Sequence, residues 1–238
     1  MAYRSLTEEE INVLDDNGCW AENWDNVKVS DDFAPKYMRH VMLYGDVAIG
    51  SFEKNIEVSP GFLKHSGICN ATLRNVSVGD NCLIENIGNY INNYTIGNGC
   101  YISNVSTMET TEGATFGQGN LISVLNEVGD GNVVLFDGLM VKYDRDRGFW
   151  AAMRRLIGED IKATSPDRGT LGDGVKIVNT KEITNTVIGE ECEVNGAARL
   201  SDVTILSAPD ATVYIGTGVI CENSIISHGS SLINSVKM

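Results

Sequence analysis

The sequence predicts an all-β protein, a parallel β-helix built from six-residue repeats. Apolar residues recur at a stride of six, which fits neither the 3.6-residue period of a helix nor the two-residue alternation of a strand. Gly and Asn follow the apolar position, where such a coil has to turn. Of the 238 residues, 42% are hydrophobic but only 7% are aromatic, so the core must be mainly aliphatic.

Residues 1–44 are predicted to form an N-terminal helix and cap. Thr7 and Glu10 fit a capping box, with Leu6 in the position of the hydrophobic staple. Trp20 and Trp24 follow the helix. Because an open coil end exposes unpaired backbone, we expect the helix and these two rings to cover the first coil.

Residues 45–238 are predicted to form the β-helix, with one inward apolar residue on each flat face and parallel pairing between coils. Three series at the six-residue stride define the expected inward positions. They are Val78, Ile84, Tyr90, Ile96, Ile102, Met108 and Ala114; earlier Ile56, Phe62 and Ile68; and finally Tyr214, Ile220, Ile226, Leu232 and Met238. The expected turns include Gly79-Asp80-Asn81, Gly97-Asn98-Gly99 and Gly172-Asp173-Gly174.

The stride stops after Met140, which predicts an insertion at 144–168. Phe149 and Met153 begin an apolar pattern at helical spacing, so the insertion is expected to contain an amphipathic helix. It brings a basic cluster into an acidic chain. The cluster either binds a phosphate-bearing substrate or pairs with neighbouring carboxylates on a solvated face, and the sequence leaves both readings open. Its residues are Lys142, Arg145, Arg147, Arg154 and Arg155.

The cysteines are predicted to be packing residues. None of the six forms a C-x-x-C pair, the close spacing typical of zinc sites and of small disulfide scaffolds. Five instead fall at fixed offsets from the inward positions, where a narrow interior favours a small apolar side chain. These five are Cys69, Cys82, Cys100, Cys192 and Cys221.

The charge of the chain argues against two classes of partner. A formal net charge of −14 disfavours both nucleic acid and anionic membrane surfaces. The N-terminus lacks the basic start and apolar run of a secretory signal, and no apolar run reaches the length of a membrane span. We therefore expect a cytoplasmic protein.

Three segments carry a resemblance to a known family: Val78-Gly-Asp-Asn-Cys-Leu, Ile96-Gly-Asn-Gly-Cys-Tyr and Ile188-Gly-Glu-Glu-Cys-Glu. They resemble the hexapeptide repeat of the left-handed parallel β-helix superfamily. That superfamily includes acyltransferases and the C-terminal halves of sugar-nucleotide pyrophosphorylases. The resemblance covers roughly 45–143 and 168–238, and it implies a left-handed coil, a homotrimer and acyl-CoA as cofactor. The chain also resembles the N-terminal part of longer, uncharacterised bacterial hexapeptide proteins.

The resemblance implies acyl transfer to a sugar or a nucleotide sugar. Such a reaction needs a general base near neutral pH, and His is the usual choice. The candidates are His65 and His228, while His40 precedes the repeat and is expected to be structural. The alternative is a non-catalytic β-helix module for oligomerisation or scaffolding. No Gly-rich phosphate loop follows a predicted strand, which argues against a nucleotidyltransferase domain.

The last series of inward positions ends in phase on Met238, with no closing element after it. Repeat proteins cover their terminal core layer with an atypical unit. We therefore expect either a missing C-terminal region or a neighbouring subunit that covers the last coil.

Overall fold

The computed structural model describes residues 3–124, 131–137 and 166–238, and these residues are mostly β-structure built around one large sheet. One helix, α1 (Glu8–Asp16), and two 3-10 turns, Trp24–Asn26 and Pro35–Tyr37, belong to the first part of the chain. The strands of the large sheet are β1 (Tyr3–Ser5), β2 (Trp20–Ala21), β3 (Val27–Ser30), β4 (Met38–Tyr44), β5 (Val47–Ile49), β8 (Gly67–Val78), β9 (Leu83–Glu85), β10 (Tyr90–Ile96), β11 (Tyr101–Ser103), β12 (Thr107–Glu109), β15 (Gly169–Leu171), β16 (Lys176–Val178), β17 (Glu182–Ile188), β18 (Glu193–Asn195), β19 (Arg199–Ile205), β20 (Tyr214–Ile215), β21 (Ile220–Ile226) and β22 (Ser231–Leu232).

Two antiparallel hairpins lie outside this sheet. They are formed by β6 (Asn55–Ser59) with β7 (Phe62–His65), and by β13 (Leu121–Val124) with β14 (Gly131–Val134). Nearly all of the insertion expected at 144–168 falls outside the described residues. In the described part of the chain, no helix combines the length and the apolar character needed to cross a bilayer.

Pairing in the large sheet is parallel apart from β1 with β3, and it stacks the inward side chains into three buried columns. Column A contains Val29, Ile49, Val78, Ile96, Leu171, Ile188, Ile205 and Ile226. Column B contains Met38, Ile68, Ile84, Ile102, Ile177, Val194, Ile215 and Leu232. Column C contains Ala21, Leu43, Leu73, Ile91, Met108, Ile183, Leu200 and Cys221.

The six-residue stride predicts most of these positions, but it misplaces those that follow a longer corner. Tyr90 was expected to point inward and is 37% exposed, whereas Ile91 is fully buried. The corner after Ile84 holds one residue more than the stride allows, which moves the inward position along by one. Tyr214 and Ile220 were also expected inward and are only half-buried, because their C-terminal neighbours take the inward places.

Three predicted inward positions near the two ends of the series are also wrong, namely Ile56, Phe62 and Met238. Ile56 and Phe62 lie in the β6–β7 hairpin, outside the stack, and Phe62 is 58% exposed. Met238 is 50% exposed rather than buried in a last core layer. A stride of six cannot distinguish a coil from a hairpin of similar length, since both place apolar residues at comparable intervals.

The corners are as tight as the Gly-rich turns predict. A Cβ atom at Gly97 would lie 2.7 Å from the carbonyl carbon of Gly172 in the next coil, so only glycine fits. Polar side chains join adjacent coils at the same corner. The backbone N–H of Asp80 donates to Asn98 Oδ1 at 2.9 Å, and the N–H of Asn98 donates to Asp173 Oδ1 at 2.7 Å.

The N-terminal segment covers the core with its helix and with Trp24, which is half-buried and packs against the core cluster, but not with Trp20. The capping box of Thr7 and Glu10 is formed, and Leu14 is buried in the core cluster. Trp20 is 49% exposed, so the prediction that its ring covers the first coil is wrong. The main sheet already includes β2, β3 and β4, and it therefore extends into the segment 1–44.

Candidate functional site

The two candidate histidines lie far apart on the stack. His65 ends β7 and precedes the column B residue Ile68, near the first coils. His228 follows Ile226, the last residue of column A, and is exposed. The structure therefore does not bring them into one site. The basic residues proposed for substrate binding lie outside the described residues, namely Lys142, Arg145, Arg147, Arg154 and Arg155.

His65 is held in one tautomer by the backbone of the next residue, Ser66. Its Nδ1 atom lies 2.9 Å from the carbonyl oxygen of Ser66, which places a proton on Nδ1 and leaves Nε2 as the basic nitrogen. The ring stacks on Tyr37 with centroids 3.8 Å apart and an interplanar angle of 14°. The imidazole is exposed and oriented, and Nε2 is chemically able to accept a proton.

The β6–β7 hairpin is fixed to column B by a carboxylate. Glu85 pairs with Lys64 of the hairpin and accepts hydrogen bonds from Tyr101 Oη at 3.3 Å and Ser103 Oγ at 3.2 Å. Its side chain is only 13% exposed, so these donors replace the water that it loses. A cavity of about 400 Å³ lies beside the hairpin tip and is lined in part by Tyr101 and Lys176.

The cysteines are packing residues, as predicted, with one partial exception. Cys82 and Cys100 are fully buried, and their Sγ atoms donate to the carbonyl oxygens of Gly97 at 3.0 Å and Gly172 at 3.2 Å. Burial raises the pKa of Cys192 to about 12, which suppresses the reactive thiolate. Cys69 is half-buried, and all six cysteines are free thiols.

A more aromatic site lies on the outer surface of column C. We call it the tyrosine groove, a cavity of about 460 Å³. Parallel pairing places Tyr44, Arg74, Asn92 and Glu109 side by side on four successive strands. The groove residues used below are Glu22, Tyr44, Arg74, Tyr90, Asn92 and Glu109.

Two carboxylates of the groove are already oriented by hydrogen bonds. Tyr90 Oη donates to Glu109 Oε2 at 3.0 Å, and this bond raises the pKa of Tyr90. The backbone N–H of Gly45 donates to Glu22 Oε2 at 3.3 Å. Arg74 is exposed between them and forms no ion pair within the described residues, so its guanidinium is available to a ligand.

The aromatic surface extends beyond the groove at the N-terminal end of column C. The ring of Trp20 packs against Tyr44 with centroids 5.4 Å apart and an interplanar angle of 59°. Met42 pairs with Trp20 across the strands and is 51% exposed. Exposed aromatic and thioether side chains of this kind are enriched at binding surfaces.

Sequence reasoning missed this groove because its residues occupy outward positions. Outward positions carry no apolar period, and the stride analysis assigned Tyr90 to the core. The available signal was a Tyr or Trp near several strand ends, which becomes meaningful only once the register is known. In the ranges that the structure describes, no three His, Cys, Asp or Glu side chains are grouped so that they could hold a metal ion.

Comparison with known proteins relates the chain to one family. The model of the family described as DUF4954, a domain of unknown function, matches residues 3–238. An uncharacterized protein of Treponema pallidum (strain Nichols) is 29% identical over 249 residues, which covers 96% of this chain and 34% of that relative. The chain thus spans about a third of the length of this relative.

Proposed function

The chain belongs to the DUF4954 family, and we propose that it is a ligand-binding module built on a left-handed parallel β-helix of the hexapeptide class. Three observations support the hexapeptide class. Pairing partners such as Val78 and Ile96 are 18 residues apart, which is three six-residue units, the inward residues form three columns, and Gly-x-x-Cys corners recur. The left hand rests on the resemblance of the repeats.

The observation that carries the binding function is the tyrosine groove. Ligand sites are concave, and they combine apolar or aromatic walls with a few oriented polar groups. The groove has both, since Tyr44 and Tyr90 provide rings while Glu22 and Glu109 are held by hydrogen bonds. The candidate histidines, by contrast, lie at separate ends of the stack and line neither of the two cavities described above.

A thermal-shift screen tests the binding function. The wild-type chain and Arg74→Gln are screened against saccharides, nucleotides, amino acids and short peptides. A ligand of any class that raises the melting temperature of the wild type and not that of Arg74→Gln supports a binding site at the groove. If no ligand produces a shift that depends on Arg74, the proposed function fails.

Acyl transfer to a sugar or nucleotide sugar is the second candidate. The tautomer of His65 favours it, because the bond from Nδ1 to the Ser66 carbonyl leaves Nε2 free to act as a general base. The acyl-CoA donor and the homotrimer implied by the resemblance belong to this candidate, as does the basic cluster of the insertion.

A transfer assay with acetyl-CoA and amino or nucleotide sugars tests the second candidate. Loss of activity in His65→Ala, with activity kept in His228→Ala, would support His65 as the base. Sedimentation analysis of the same samples would show whether the active species is a trimer. Absence of acetyl transfer by the wild type to any of these acceptors would count against the candidate.

A further inference from the structure

We propose that the tyrosine groove binds a neutral oligosaccharide, an assignment that rests on the binding function proposed above. The groove runs along the stack, and successive strands present one outward side chain each, roughly 4.8 Å apart. Tyr44, Arg74, Asn92 and Glu109 form one such row. A linear ligand with a repeating unit of similar length, such as a chain of pyranose rings, therefore meets one outward side chain at each coil.

The polar groups of the row match hydroxyl groups. A sugar hydroxyl both donates and accepts, so it pairs with carboxylate acceptors and with guanidinium donors alike. Glu109 has one oxygen occupied by Tyr90 and a second oxygen available for a ligand donor. Arg74 supplies the donors, and Asn92 supplies both kinds of group next to it.

Aromatic rings complete the complementarity. Tyr90 begins β10 and is 37% exposed, and Trp20 is 49% exposed beside Tyr44. The faces of pyranose rings carry C–H groups, which pack on the negative face of an aromatic ring while the hydroxyls at the ring edge remain hydrogen-bonded. Rings at both ends of a polar row suit a ligand that alternates apolar faces and polar edges.

Charge excludes the anionic alternatives. The groove has two carboxylates, Glu22 and Glu109, against one guanidinium, and the whole chain has a formal net charge of −14. Nucleotides, nucleic acid and acidic polysaccharides would therefore be repelled. The row also offers no free sheet edge to a peptide, since β4, β8, β10 and β12 are paired with one another through their backbones.

Calorimetric titration of the whole chain tests the assignment, with cellotetraose, chitotetraose and mannotetraose as neutral probes and tetragalacturonate as the acidic probe. We expect at least one neutral tetrasaccharide to bind and tetragalacturonate not to bind. Arg74→Gln and Tyr90→Leu should each weaken binding by about tenfold or more, because each removes a direct contact. Arg199→Gln is the control, since Arg199 lies on the same face outside the groove and pairs with Glu182 and Glu222. It should leave affinity within about twofold.

The outcomes separate this assignment from the broader binding function. Binding of a neutral tetrasaccharide that is unchanged in Arg74→Gln and Tyr90→Leu would overturn the location, and preference for tetragalacturonate would overturn the ligand class. A thermal shift that depends on Arg74 but comes from a non-saccharide ligand would overturn the saccharide and leave the binding module standing. If Tyr90→Leu is misfolded, Arg74→Gln still tests the location of the site. Arg74 is exposed and unpaired within the described residues, so its replacement should not disturb the fold.

Discussion

Replacing Tyr94 with Phe is expected to destabilise the stack where β10 meets β15 and β17. Tyr94 is fully buried, and its hydroxyl donates to the carbonyl oxygen of Thr186 at 3.0 Å and accepts from the N–H of Thr186 at 3.3 Å. Strand β15 pairs with β17 only through Leu171 and Ile188. The backbone N–H and carbonyl groups of Thr186 therefore form their hydrogen bonds with the tyrosine hydroxyl instead of with β15. Its ring lies against Gly169, where a Cβ atom would come within 2.4 Å.

The magnitude follows from the two hydrogen bonds. Each buried polar group that is left without a partner costs about 1–3 kcal/mol, and the bond from the N–H is the longer and weaker one. We therefore expect Tyr94→Phe to lower the free energy of unfolding by about 2–3 kcal/mol. For a chain of this size that corresponds to a fall of roughly 5–10 °C in the melting temperature, measured by circular dichroism or calorimetry.

Tyr90→Phe is the matched control, because it removes the same atom from an exposed ring whose partner is the surface carboxylate of Glu109. It should change stability by less than about 0.5 kcal/mol. A Tyr94→Phe variant that melts within about 1 °C of the wild type would refute the reasoning, since a hydroxyl that serves two buried groups cannot be lost without effect.

The same residue predicts a dependence on alkaline pH. Burial raises the pKa of Tyr94 in the folded chain, so the folded state retains a proton that the unfolded state releases above its ordinary value of 10.0. Stability should be complete below that value and should fall as pH rises above it. This part of the alkaline loss should be absent from Tyr94→Phe.

Four further outcomes are expected. Gly97→Ala should lower stability by about 1–3 kcal/mol in denaturant melts, because its Cβ would lie 2.7 Å from backbone of the next coil. A thiol reagent at pH 8 should modify only Cys69 rapidly in the native chain, and rapid reaction of all six thiols would contradict the buried assignments. The hydrogen bond from Arg4 lowers the pKa of Glu10 to about 2 in the folded chain. The contribution of Glu10 to the free energy of unfolding should therefore be present above pH 4.5 and be lost as pH falls toward 2, and Glu10→Gln should lack this acid dependence in denaturant melts. Trp20→Ala should lower stability by no more than about 1 kcal/mol in thermal melts, because half of the ring is exposed.

Many core positions of this protein could be predicted from the six-residue stride, because burial leaves a periodic pattern of apolar residues in the sequence. Val78, Ile96 and Ile102 were placed inward from the sequence alone, and all three are buried. The turn glycines were predicted on equally local grounds, because a corner that admits no Cβ has to be glycine wherever it recurs. The capping box of the first helix is a third feature that needs only a few consecutive residues.

Tertiary structure decided the register, and with it the outer surface. The β6–β7 hairpin interrupts the coil between Leu43 and Leu73, and a corner one residue too long moves Tyr90 from the core to the groove. Arg74 and Glu109 are brought together by strand pairing across intervening turns, and outward side chains carry no apolar period that would reveal the pairing in advance. A one-residue slip exchanges the two faces of a strand, so the groove exists only once every corner length has been fixed by packing.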